Sequence, residues 1–134
     1  MQLKMALLAD AANVSREGKL NVLGIFDTIY ARSFPVAHPQ MQLVLRLEAG
    51  PDDAGTACRL EVQVTAPDGA SLARLPVTMT VPQAETGERA RVDHILTFTN
   101  MVVERAGRYA LRVTLGDGGE TIVPLRVEQV PVAH

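Results

Sequence analysis

Alternation with a period of two residues governs this chain. In the stretch from Met41 to Glu48, Met41, Leu43, Leu45 and Leu47 fall on one parity, and Gln42, Val44, Arg46 and Glu48 on the other. From Cys58 to Thr65, the set Cys58, Leu60, Val62 and Val64 opposes Arg59, Glu61, Gln63 and Thr65. From Arg108 to Leu115, Tyr109, Leu111, Val113 and Leu115 oppose Arg108, Ala110, Arg112 and Thr114. Successive side chains of a strand point to opposite faces, so each stretch reads as a strand with one buried and one wet face. That is the antiparallel pattern.

The punctuation between strands agrees. Pro67-Asp68-Gly69 and Gly116-Asp117-Gly118-Gly119 supply hairpin turns. Pro51 to Gly55 and Gln83 to Glu88 read as longer loops. Ala31 to Gln40, with Pro35 and Pro39, reads as a connection that carries the chain from one sheet to the other. Eight strands are expected, at about 3–9, 20–30, 41–48, 58–66, 72–81, 90–99, 108–115 and 121–129. Asp10 to Lys19 has room for one helical turn, ended by Gly18. Pro76 and Pro124 cannot donate to a ladder and imply edge strands, which favours an open sandwich over a closed barrel. The expectation is a single all-β domain over 1–134: an antiparallel, immunoglobulin-like β-sandwich.

With 134 residues, 47% of them apolar, the chain can bury one core without staples. Only 4% are aromatic and Trp is absent, so that core must be aliphatic. A net charge of −2 and scattered aromatics argue against nucleic acid as a partner. No apolar run approaches the ~20 residues of a membrane span. Asp10 interrupts the only stretch that resembles a signal core, so a cytoplasmic location is the default expectation. Cys58 is the sole cysteine, which excludes an internal disulfide scaffold and fits a reducing compartment.

No catalytic grouping emerges, and the chain is read as non-enzymatic. Cys58 shares parity with Leu60 and Val62, so it reads as buried and inert rather than as a thiolate nucleophile. Asp93 and His94 are adjacent on a strand and must point to opposite faces, so they form no orienting pair. His38, His94, His134, Asp10, Asp27, Asp52 and Asp53 show no metal-ligand spacing. The Asp52-Asp53 pair reads as solvated loop acids before it reads as a calcium site. No metal or cofactor is expected.

Three groups remain as candidates. Leu20 to Tyr30 is apolar on both parities. Either Gly24 marks a bulge that swaps faces, or Leu23, Ile25 and Ile29 form an exposed patch suited to self-association or to a protein partner. Arg46, Arg108, Arg112 and Arg126 lie on the polar parity of their strands. In an immunoglobulin-like order they would share one sheet as a positive stripe beside Glu48 and Glu128, either an ordinary charged face or a face for an anionic partner. Asp10, Asn13, Asp27 and His38 would form a small-ligand or metal-binding end if they converge; as separate residues they are turn and cap groups.

Gly107-Arg108-Tyr109 resembles the penultimate strand of immunoglobulin-like and fibronectin-like domains, where the ring packs at one end and its hydroxyl bonds back to a turn. The stretches Ala6 to Asn13, Gly18 to Asp27, Phe34-Pro35-x-x-His38-Pro39 and Leu43 to Arg46 extend a resemblance over nearly the whole chain, to a bacterial family of uncharacterised small domains. The resemblance implies a β-sandwich with no assigned activity. It transfers no functional residues.

Overall fold

A computed structural model describes residues 1–83 and 89–131. Among these residues nine strands form two sheets: β1 (Gln2–Val14), β2 (Leu20–Phe26), β3 (Thr28–Ala31), β4 (Val36–Ala49), β5 (Ala57–Thr65), β6 (Ser71–Thr80), β7 (Ala90–Val103), β8 (Gly107–Leu115) and β9 (Glu120–Gln129). The first sheet runs β2-β1-β4-β7; the second runs β3-β9-β8-β5-β6 and curls as a half-barrel. Among the described residues there is no α-helix, only the 3-10 turn Pro51–Asp53. The loop expected from Gln83 to Glu88 lies, after Gln83, outside the described residues.

The alternating parities face one another across an aliphatic core. Met41, Leu43, Leu45 and Leu47 of the first sheet share a cluster with Leu60, Val62, Val64, Leu111, Val113, Leu125 and Val127 of the second. Fully burying one such side chain stabilises by about 1.5–3 kcal/mol, so this layer dominates the fold. His94 and Asp93 take opposite faces as expected. His94 pairs with Leu45 on the core side, while Asp93 lies opposite Arg46 on the outer side.

Three expectations are corrected. Asp10 to Val14 continues β1 instead of turning into a helix, and the chain reverses in the short turn that ends at Gly18. β4 begins at Val36, so only residues 32–35 connect the sheets; the Phe34–Pro35 peptide there is cis. The expected strand from 20 to 30 is two strands in different sheets. The chain leaves the first sheet after Phe26, and the Asp27 carbonyl accepts the Arg126 amide of the second at 2.8 Å. From Thr28 to Ala31 it runs parallel to β9.

That crossing explains why Ile29 is buried although its parity opposes Phe26. Phe26 packs against the core from the first sheet and Ile29 from the second, although an unbroken strand would point them oppositely. Gly24 therefore swaps no faces: the β1–β2 register runs unshifted from Leu8–Phe26 to Val14–Leu20.

The prolines obey the local edge. Pro76 sits on β6, an edge strand, as expected. β9 lies between β3 and β8, but β3 flanks it only from Arg126 onward, so Pro124 meets an open side where no donor is required.

Tyr109 is 3% exposed, and its hydroxyl donates to the Arg105 carbonyl at 2.8 Å. The bond ties β8 to the turn before it, as the Gly107-Arg108-Tyr109 pattern implied. Tyr109→Phe keeps the packed ring and removes this bond. It should cost about 0.5–1.5 kcal/mol, read as a lowered urea midpoint with an unchanged denaturant slope.

Candidate functional site: an unprotected edge and a notch between the sheets

β2 is an edge strand, and among the described residues no strand covers its far side. Natural sheets blunt such edges with charge, proline, bulges or brevity. The other three edges do so. β3 has only four residues, β6 carries Arg74 and Pro76, and β7 carries Arg91 and Asp93. β2, Leu-Asn-Val-Leu-Gly-Ile-Phe, has neither a charged residue nor a proline.

Its outer face is apolar as well. Leu23 is 73% exposed and Ile25 65%. Opposite Ile25 lies Ala9, and the next outward row crosses Leu7, Val44 and Ile95. Ala9 and Val44 are buried and the row from Ile25 continues into Gln42 and Thr97, so the exposed apolar side chains at this rim are Leu23 and Ile25. On the same outer face Arg46 donates to Asp93 through two bonds, Nε to Oδ1 at 2.7 Å and Nη2 to Oδ2 at 3.2 Å. The hydrogen bond to Asp93 raises the Arg46 pKa, helped by the carboxylate's charge and opposed by desolvation.

The expected patch and stripe are redrawn. Leu23 and Ile25 are exposed, but Ile29 is 6% exposed and belongs to the core, because the crossing at Asp27 turns it inward; Tyr30 takes the exposed place. Arg46 is not in one sheet with Arg108, Arg112 and Arg126: β4 pairs with β1 and β7, so it lies in the first sheet. The remaining three are on the outer face of the second. Arg112 pairs with Glu120 at 3.3 Å and Arg126 with Glu128 at 3.5 Å, while Glu48 faces Lys4 at 3.6 Å.

The four polar candidates sit in separate roles. Asn13 accepts a hydrogen bond from Asn21 across the β1–β2 pair at 2.9 Å. Asp10 lies on the other parity, its carboxylate set over Gly24. Asp27 accepts the Thr28 hydroxyl at 2.8 Å. His38 stacks at a tilt on Phe26, ring centres 6.0 Å apart, and its Nε2 is buried without a partner. Among the described residues no three His, Cys, Asp or Glu side chains gather as metal ligands. His134 lies outside those residues. Asp53 accepts the Gly50 amide at 3.2 Å, the loop role read for it. Cys58 is buried, and burial raises its thiol pKa, which suits an inert thiol.

What the fold does bring together is a mixture of two expected groups. Asp27 and Thr28, at the start of β3, line a cleft of about 330 Å³ together with Arg108, Pro124 and Arg126; Thr28, Arg126 and Arg108 are successive cross-strand neighbours. The sequence could not pair Asp27 with Arg126, since the contact exists only because the chain changes sheets between Phe26 and Thr28.

Gly24 has φ +74°, and a Cβ there would overlap the Asp10 carboxylate. Gly24→Ala should therefore destabilise by more than the ~1–2 kcal/mol of a left-handed Ala backbone. In an Asp10→Ala background the steric part should shrink, a coupling measurable by a double-mutant cycle in urea. His94 gives a second check. Burial lowers its pKa below the ordinary 6.5, so the unfolded chain takes up the proton first. This contribution to stability is fully present above about pH 6.5 and is lost as pH falls from there toward the folded-state pKa. The urea midpoint should drop between pH 7 and 5.5, and His94→Leu should flatten that drop.

No curated protein sequence matches the chain. The model of a family of unknown function, DUF6941, matches residues 4–128, from the first strand to the last. The match spans both sheets, the Asp27 crossing and the Tyr109 turn, and the chain belongs to that family.

Proposed function

We propose that the protein is a non-enzymatic interaction domain that self-associates through β2 of the first sheet. The observation that carries this reading is the unprotected edge: β2 alone of the four edges has no charge, no proline and full length for pairing. A second copy is the occupant best matched to it. Two β2 edges related by a two-fold axis pair antiparallel and join the two four-stranded sheets into one. The same operation brings Leu23 and Ile25 of both copies onto one face. There they become cross-strand neighbours and cover one another in part. Hydrogen bonds along the edge add to that. A net charge of only −2 opposes the pairing little.

The absence of an assembled nucleophile, base and orienting group in the sequence supports the non-enzymatic part of the reading. The cytoplasm is its proposed setting, supported by a lone, buried cysteine. The immunoglobulin-like reading is supported at the closing strands by the Tyr109 bond to Arg105.

Sedimentation velocity between roughly 1 and 200 μM tests it. The wild type should shift from monomer to dimer across that range. Leu23→Lys and Ile25→Asp should stay monomeric, with folding stability changed by no more than about 0.5 kcal/mol, as for exposed sites. A wild type that remains monomeric throughout contradicts the proposal, and so does a dimer indifferent to both substitutions.

A further inference from the structure

The notch beside the crossing holds an arrangement that packing alone does not explain. Arg108 and Arg126 are directly opposite one another on β8 and β9, both exposed. Like charges in that position destabilise a strand pair. Arg126 has Glu128 at 3.5 Å; among the described residues no carboxylate oxygen lies within 4.0 Å of Arg108. The two guanidiniums border the cleft of about 330 Å³ that exists because β3 begins only opposite Arg126, leaving the ground over Pro124 open. Thr28, next to Arg126 in the sheet, and Asp27 also line the cleft, with the Thr28 hydroxyl donating to the Asp27 carboxylate.

We infer that this notch binds the phosphate monoester of a small hydroxylated molecule, the phosphate held by Arg108 and Arg126 and a hydroxyl of the ligand by Asp27. A phosphate monoester carries about −1.5 to −2 charges near pH 7; Arg108 supplies the positive charge that has no carboxylate partner, and Arg126 is shared between the phosphate and Glu128. Guanidinium forks suit its oxygens geometrically. Asp27 disfavours a second anionic group at that end of the cleft and favours a hydroxyl donor, so the ligand is anionic at one end only. The exposed Pro124 ring offers an apolar surface to the carbon skeleton. The inference is independent of self-association through β2.

The test is an amide-resolved NMR titration with glycerol phosphate at constant ionic strength, with inorganic phosphate and succinate as parallel probes. Glycerol phosphate should shift Thr28, Arg108, Leu125 and Arg126 saturably. Arg108→Gln and Arg126→Gln should each weaken it at least tenfold while leaving the remaining spectrum folded. Asp27→Asn should weaken glycerol phosphate and leave inorganic phosphate unchanged. Absence of saturable shifts, shifts centred elsewhere, indifference to both arginine substitutions, or succinate binding as tightly as the phosphates would overturn it.

Discussion

Both candidate sites depend on the passage of the chain from one sheet to the other at Asp27. Phe26 ends β2 with its ring against the core, and one residue later the Asp27 carbonyl is bonded to the Arg126 amide of the other sheet. Because β2 stops there, it stays at the margin of the first sheet with its far side unpaired. Because β3 starts there and is only four residues long, β9 is left uncovered at Pro124. The edge and the notch are two consequences of one backbone bond and one change of sheet. Phe26 and Ile29, on opposite parities, are the sequence's accommodation to it: each half of the segment supplies its own inward side chain, while Leu23 and Ile25 stay exposed.

The two outer faces differ in chemistry. On the first sheet, Leu7, the buried Val44 and Ile95 form a row beside a bidentate Arg46–Asp93 pair, and Leu23 and Ile25 are exposed at the rim. On the second, charged side chains mostly neutralise one another: Arg74 with Glu61, Arg112 with Glu120 and Arg126 with Glu128. Exposed pairs of this kind contribute little to stability. Their regularity makes Arg108, set opposite Arg126, the exception on that face among the described residues.

The strand pattern was largely legible in the sequence, because a period of two is imposed by the backbone and is the same wherever a strand has one dry face. The hairpins at Asp68 and Asp117 and the opposite faces of Asp93 and His94 follow from local rules alone, whereas the Tyr109 turn is implied by the resemblance of Gly107-Arg108-Tyr109 to immunoglobulin-like strands. The sheet change at Asp27 was not legible. A bulge and a crossing both produce apolar residues on both parities, and only the pairing partners distinguish them. Ile29 was misplaced for that reason, and Arg46 was grouped with the wrong sheet because strand order is a long-range property. The four polar candidates took separate places on the same ground, while Asp27 met Arg108 and Arg126 instead.

The claim that β2 is an edge completed by a second copy is tested most directly by amide hydrogen exchange at several protein concentrations. The account predicts that β2 amides slow as concentration rises through the micromolar range, while those of the proline-guarded edge β6 do not change. Equal exchange of β2 at low and high concentration would contradict it.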